Sequence, residues 1–237
     1  MADEKKPAKP RAAPRRKPAD PAPARPSRTA KVAGTVDAKA MAPAASATTG
    51  PTARRMSPLD GRYAGGPGVT LTPLGYRRRL SLHASAESLP GIGAALGLDL
   101  PTRPKATTVN EGIAALWLGP DEWLLLDDRA APGDEGEPGT MSASLAAVPG
   151  ISMVDVSQRN VGIAIEGPAA EAIVAAGCPQ DLRLRSFPVG AASRTVLSKA
   201  EIVLRRTGEE RFEIECWRSF ADYVWTFLEE AARAPAV

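Results

Sequence analysis

The chain has 237 residues, 43% of them hydrophobic and 5% aromatic, which is enough for one large domain or two small domains with a packed core. No apolar run reaches the roughly 18 residues of a membrane helix and no hydrophobic segment follows the N-terminal charges, so we expect neither a membrane span nor a secretory signal. Residues 1–56 hold 13 Lys/Arg and 4 Asp/Glu, a net charge of +9, whereas the remainder holds 17 and 23, a net charge of −6.

The N-terminal segment, residues 1–56, is rich in Lys, Arg, Pro and Ala and has almost nothing to bury. Ordering such a segment costs about 1–2 kcal/mol per residue without a hydrophobic return, so we predict a disordered basic tail. A Lys/Arg run can also bind nucleic-acid phosphates, but no aromatic residue stands among these charges to stack on a base, and nucleic-acid binding is not expected. A targeting segment is a weaker alternative, because the Pro content opposes an amphipathic helix.

The folded region, residues 57–237, begins with elements in the order β-α-β-β-α-β. In its first strand, over residues 77–84, leucines alternate with cationic residues, a pattern typical of a half-buried strand. The leucines are Leu80 and Leu82, and the opposite face carries Arg77, Arg79 and His83. The other predicted elements are a helix over 85–97, strands over 112–118 and 122–127, a helix near 140–148 and a strand over 151–157.

The stretch ALWLGPDEWLLL, residues 115–126, indicates two strands joined by a turn. Pro120 fits the second position of a type I turn, so we expect Asp121 and Glu122 in water at a hairpin tip and not as an acid–base pair. The first strand is apolar on both faces, which predicts a cover on both. The chain's own helices would cover one face and a partner could cover the other. Trp117 and Trp123 are therefore candidate partner-interface residues.

The second half of the folded region resembles the first. Its predicted elements are a strand over 160–167, a helix over 168–177 with Pro168 first and Gly177 last, strands within 194–207 and 211–218, and a helix over 219–234. In the last helix a capping box is predicted at Ser219 and Asp222, and an apolar stripe at Phe220, Val224, Phe227, Leu228 and Ala231. The predicted fold is α+β, with two ferredoxin-like β-α-β-β-α-β halves at about 70–157 and 158–235.

No reactive centre is recognisable in the sequence. His83 is the only histidine and shares a strand face with arginines, which favours a surface or interface role over a catalytic base. Cys178 and Cys216 stand alone, as expected of buried thiols in a reducing compartment, and metal ligands do not cluster. The segment GIGAALG, residues 91–97, resembles a dinucleotide-binding loop, but its third glycine is one place late and no strand precedes it. We therefore predict no catalytic, cofactor-binding or metal-binding residue.

Trp217 ends a strand, RFEIECW, whose alternation places it among charged residues. Phe212, Ile214 and Cys216 have the composition of a core face, whereas Glu213 and Glu215 share the face of Trp217. A tryptophan in that position either folds back over the next helix, against Phe220, or binds a partner. Tryptophan is enriched among residues that dominate binding energy, so Trp217 is the third candidate interface residue.

Four long stretches, in this order and spacing, resemble the gamma subunit of heterotetrameric sarcosine oxidase. They are GIAALWLGPDEWLLL, VDVSQRNVGIAIEGPAAEAIVAAGCPQDL, FPVGAASRTVLSKAEIVLRRTG and ERFEIECWRSFADYVWTFLEEAA. The resemblance covers roughly residues 57–235 and does not extend to the tail.

This resemblance implies a non-catalytic subunit of a bacterial enzyme that oxidises the N-methyl group of sarcosine, with glycine, a formaldehyde-level carbon and H2O2 as products. With tetrahydrofolate, the carbon would leave as methylenetetrahydrofolate. FAD, covalent FMN, NAD, tetrahydrofolate and zinc would lie on the partners, which are the alpha, beta and delta subunits. The implied fold is similar to that of folate-dependent aminomethyltransferases, and the expected compartment is the cytoplasm. A stand-alone folate-binding module is the alternative, on fold analogy alone.

Overall fold

The computed structural model describes residues 56–130 and 140–233. This part of the chain forms two antiparallel sheets with four helices, which confirms the predicted α+β class. The predicted disorder of residues 1–56 concerns a segment that, apart from Met56, lies outside the described residues. None of the described helices is long and apolar enough to cross a membrane.

The two sheets use eleven described strands. The five-stranded sheet, in the order β4-β5-β6-β3-β7, contains β3 (Arg78–Ala84), β4 (Thr107–Asn110), β5 (Ile113–Gly119), β6 (Glu122–Asp127) and β7 (Ile151–Asp155). The six-stranded sheet, in the order β1-β2-β8-β11-β10-β9, contains β1 (Ala64–Gly66), β2 (Val69–Pro73), β8 (Asn160–Glu166), β9 (Ala192–Leu197), β10 (Ala200–Gly208) and β11 (Arg211–Trp217). The helices are α1 (Leu89–Leu96), α2 (Thr140–Leu145), α3 (Ala170–Ala175) and α4 (Ala221–Arg233), with 3-10 turns at Ala86–Ser88 and Arg218–Phe220.

One face of the five-stranded sheet packs against α1 and α2. Leu80 and Leu82 point to this side, as predicted, and join Trp123 and Leu125 of β6 in one core. Full burial of such side chains stabilises the fold by about 1.5–3 kcal/mol each. The segment GIGAALG lies within α1 and its C-cap, and Gly97 ends the helix at φ 69°, which glycine adopts without strain. It is not a phosphate-binding loop.

The six-stranded sheet packs its core face against α3 and α4. Phe212, Ile214 and Cys216 are fully buried on this face, as the alternation of β11 predicts. The buried stripe of α4 differs from the prediction: it consists of Ala221, Val224, Trp225, Leu228 and Ala232. Phe220 is exposed, because it belongs to the 3-10 turn before the helix and not to the helical face.

The second faces of the two sheets meet each other. Leu116 and Leu126 of the five-stranded sheet join Ala192 of β9 in a separate apolar cluster. The six-stranded sheet of the same chain therefore covers the second face of β5. A partner is not needed to cover it, in contrast to the predicted alternative. The prediction that Arg77 and Arg79 lie on a solvated face is wrong for the same reason, since their exposed fractions are 6% and 2%.

The N-terminal strands β1 and β2 lie in the second sheet, although they precede the first sheet in sequence. Residues 70–73 of β2 pair with residues 163–166 of β8. The boundary of the predicted first half, at about residue 70, therefore assigns these residues to the wrong sheet. At β1, a Cβ on Gly66 would lie 1.8 Å from the Ala232 carbonyl oxygen, so only glycine lets α4 approach this strand. A further strand that the sequence did not reveal, β4, extends the other sheet.

Helix α3 is shorter than predicted. It begins at Ala170, with Ala169 at the N-cap, and ends at Ala175, so neither Pro168 nor Gly177 lies inside it. The predicted capping box of α4 is replaced by a tertiary contact, because Asp222 forms an ion pair with Arg62, which precedes β1. In both cases packing against neighbouring segments overrides a local signal in the sequence.

Candidate functional site

An exposed aromatic cluster lies where β11 passes into α4, and we call Trp217, Phe220 and Tyr223 the aromatic patch. Their exposed fractions are 42%, 38% and 40%. The Trp217 and Phe220 ring centroids are 6.2 Å apart at an interplanar angle of 36°. Tyr223 lies three residues beyond Phe220, and its hydroxyl lies 2.9 Å from Ser198 Oγ in the β9–β10 hairpin. Three large side chains thus remain open to solvent on one end of the six-stranded sheet.

The strand register explains why Trp217 is exposed. It lies on the same face of β11 as Glu213 and Glu215, which the other sheet covers. Trp217 is the last residue of the strand and pairs with Asn160, the first residue of β8. The contact with Phe220 was predicted for a tryptophan that folds back, yet it leaves two fifths of Trp217 uncovered. The ring therefore packs on its own chain and also presents a free surface.

Cationic side chains border the aromatic patch. The Arg159 guanidinium carbon lies 5.1 Å from the centroid of the Trp217 ring, a distance typical of a cation–π contact. Arg218 follows Trp217 and donates from Nη2 to the Met56 carbonyl oxygen, and its backbone N–H donates to the Arg159 carbonyl at 2.6 Å. Neither arginine forms an ion pair with a carboxylate in the described part of the chain. Two arginines thus lie at the border of the patch.

The other two candidate interface tryptophans lie in a different place. Trp123 is 2% exposed, and its indole Nε1 donates to the Pro101 carbonyl at 2.7 Å. It belongs to the core of the five-stranded sheet, so its assignment to a partner surface is wrong. Trp117 pairs with Trp123 across β5 and β6 and is half-buried against the same core. Of the three, only Trp217 is exposed, whereas Trp117 is intermediate and Trp123 is buried.

The Asp121–Glu122 pair combines a turn with an ion pair. Asp121 has a φ of 59°, whereas a type I turn keeps both central φ angles negative, so the predicted turn type is wrong. Glu122 does not point into water, because it accepts a bidentate interaction from Arg194 of β9. The hydrogen bond from Arg194 holds the pKa of Glu122 below its usual range. Glu122 is therefore a carboxylate that links the two sheets.

His83 lies on the surface, as predicted. Its side chain is 57% exposed, and its Nε2 lies 3.9 Å from Glu122, an acid that is already engaged by Arg194. The two thiols, Cys178 and Cys216, are both buried. Burial raises the pKa of Cys216 to about 12, so this thiol is not a nucleophile at neutral pH. Among the described residues no group of His, Cys, Asp and Glu has the arrangement of a metal site.

A buried ion network joins the two sheets, and it is absent from the predictions made from the sequence. Glu215 of β11 accepts from Arg79 at 2.5 Å and 3.2 Å and lies 3.4 Å from Arg77 Nη1. Arg77 also pairs with Glu213 at 3.0 Å and with Asp128 at 2.9 Å. The signal was present, since two cations alternate on one strand and two acids alternate on another.

The electrostatics of this network follow from its burial. Desolvation raises the pKa of Asp128 despite its Arg77 partner. Burial acts to lower the Arg77 pKa, but Glu215, Glu213 and Asp128 together raise it. Burial lowers the pKa of Arg205, and its Nε has no hydrogen-bond partner among the described residues. The network therefore pairs opposite charges between the two sheets.

A shallow cleft of about 420 Å³ lies beside α3 and is lined by Glu171, Arg206 and Glu209 among others. The Arg206 guanidinium is fully engaged: it donates to Glu171 at 3.2 Å and to the Leu182 carbonyl at 2.6 Å. It also lies 4.7 Å from the Phe212 ring centroid. The Arg206 side chain therefore holds α3 and the segment around Leu182 to β10 and is not available to a ligand.

Comparison with known proteins identifies the family. The family model described as "Sarcosine oxidase, gamma subunit family" matches residues 84–234. The sarcosine oxidase subunit gamma of Corynebacterium sp. (strain U-96) is 34% identical over 171 residues, which cover 71% of this chain and 81% of that protein. The corresponding subunit of Arthrobacter sp. is 34% identical over 149 residues, covering 62% and 71%.

A solved structure agrees with these sequence matches. A chain of the heterotetrameric sarcosine oxidase from Corynebacterium sp. U-96, in complex with pyrrole 2-carboxylate, superposes with a TM-score of 0.67 at 30% identity. The superposition covers 77% of the present chain and 98% of that chain. The resemblance inferred from the sequence is thereby confirmed, and the chain belongs to the sarcosine oxidase gamma subunit family.

Proposed function

We propose that this chain is the non-catalytic gamma subunit of a heterotetrameric sarcosine oxidase, which it supports by binding the alpha, beta and delta subunits. The family match over residues 84–234 carries this proposal. The state of the reactive side chains supports it as well. His83 is exposed with a committed acidic neighbour, the thiols are buried, and the buried charges are paired across the sheets.

The assembled enzyme would remove the N-methyl group of sarcosine oxidatively. Sarcosine, oxygen and tetrahydrofolate would yield glycine, methylenetetrahydrofolate and H2O2, or, with water in place of the folate, glycine, formaldehyde and H2O2. FAD, FMN, NAD, tetrahydrofolate and zinc would be held by the other subunits. This chain would contribute a folded surface that positions them, and Trp217 is the residue best placed for that role because a partner can reach its ring.

The purified chain tests the non-catalytic role. It is expected to show no flavin absorption and no sarcosine-dependent H2O2, whereas the four co-expressed subunits produce H2O2. Omission of this chain from the co-expression is expected to lower the yield of assembled enzyme. A yellow purified chain, or peroxide production by it above the blank, would overturn the proposal.

A further inference from the structure

The aromatic patch places three exposed aromatic side chains at one end of the six-stranded sheet. Trp217, Phe220 and Tyr223 project from consecutive turns of the chain, each about two fifths exposed. Aromatic side chains are enriched at the centres of protein interfaces, where an apolar body and a polar edge can both be used. Tyr223 keeps its hydroxyl bonded to Ser198, so this ring is held in place before any partner arrives.

The charges around the aromatic patch specify what kind of partner fits it. Arg159 lies over the Trp217 ring, Arg218 is the next residue, and the exposed Lys199 follows Ser198, whose hydroxyl bonds Tyr223. The acid beside the patch, Asp222, is neutralised by Arg62. Met56, the first described residue, has its carbonyl held by Arg218. The N-terminal segment, residues 1–56, carries a net charge of +9.

We infer that the aromatic patch, with Arg159 and Arg218, is the docking surface for an acidic segment of another subunit. An apolar side chain of that segment would cover Trp217 and Phe220, and its carboxylates would pair with the two arginines. Like charge disfavours the chain's own basic N-terminal segment as the occupant, and it also disfavours a second copy of the same patch. This inference rests on the proposed function, since it needs the other subunits.

The test is capture of the other three co-expressed subunits by the full-length tagged chain, at low and high ionic strength. Trp217→Ala removes the aromatic anchor, and Arg159→Glu combined with Arg218→Glu reverses the charge. The matched control is Arg103→Glu with Arg185→Glu, an equal change of charge on exposed residues. Arg185 lies away from the patch. It is two residues before Phe187, whose carbonyl accepts from Arg206 at the opposite end of β10.

Trp217→Ala is expected to weaken capture by about 30-fold or more, the effect of truncating an interface anchor, with only a small drop in the thermal midpoint from the lost contacts with Phe220 and Arg159. The reversed arginine pair is expected to weaken capture more at low than at high ionic strength, because salt screens the pairing. The control pair is expected to change capture by less than about 3-fold. If charge reversal impairs folding, the neutral pair Arg159→Gln and Arg218→Gln gives the same readout.

Three results would overturn the inference. Normal capture by both Trp217→Ala and the reversed pair, with a wild type that captures, would reject the docking surface and leave the proposed function intact. A wild type that captures none of the other subunits would reject the proposed function itself. A homodimer of the isolated chain that Trp217→Ala dissociates, seen by sedimentation, would assign the patch to a second copy of this chain.

Discussion

Neutralising Glu215 should destabilise the fold strongly, because this acid is the centre of the ion network between the sheets. It is 3% exposed and accepts from Arg79 at 2.5 Å and 3.2 Å, with Arg77 3.4 Å away. Glu215→Gln preserves the shape but leaves the Arg79 charge buried without a counter-ion. Breaking one partner of a buried ion pair costs about 3–5 kcal/mol. For a domain of this size, that loss lowers the thermal midpoint by about 6–20 °C.

The assay is thermal and urea unfolding of the full chain, with Glu166→Gln as the matched control. Glu166 pairs with Arg211 on the surface, and its side chain is 60% exposed, so its loss is expected to cost less than about 1 kcal/mol. Adding Arg79→Met to Glu215→Gln should recover part of the loss, because the orphaned charge is then removed. A Glu215→Gln midpoint equal to that of the Glu166→Gln control would refute the account of the ion network.

Three further predictions concern other parts of the fold. Gly66→Ala is expected to cost about 3 kcal/mol of unfolding free energy or more through its clash with the α4 backbone, whereas Gly75→Ala, which meets nothing within 4 Å, should be neutral by the same melt. Glu122→Gln should lower the free energy of unfolding most at neutral pH. Because the folded-state pKa of Glu122 is lowered, its contribution to stability is present above the unfolded pKa of 4.5 and is lost as the pH falls through the folded-state pKa. A stability difference between mutant and wild type that stays the same at acid pH in urea melts would contradict the ion pair. Removal of residues 1–55 should leave the thermal midpoint unchanged, and a drop of many degrees would show that the segment contributes to the fold.

Alternation along the strands predicted most of the fold. Period-two patterns identified the apolar faces of β3 and β11 that pack against the helices. The strands β1, β2 and β4 were not predicted. They contain three, five and four residues, and their pairing depends on a neighbour that local sequence does not specify.

The candidate site was predictable only in part. Alternation placed Trp217 on the charged face of β11, but Glu213 and Glu215 on that face are buried, and Trp217 is exposed at the last position of the strand. The same reasoning failed for Trp123 and for Arg79, because alternation distinguishes the two faces of a strand but not what covers each face. Arg79 and Glu215 are 136 residues apart, and only the stacking of the two sheets brings them together. Arg159 reaches the Trp217 ring through the same kind of long-range pairing.

The proposed role of this chain is that of a structural subunit in a four-subunit sarcosine oxidase. Native mass spectrometry of the complex purified through a tag on this chain, after co-expression with the alpha, beta and delta subunits, tests it most directly. We expect one assembly that contains each of the four chains and has sarcosine-dependent H2O2 production. Recovery of the tagged chain alone, beside an active enzyme that lacks it, would contradict the claim.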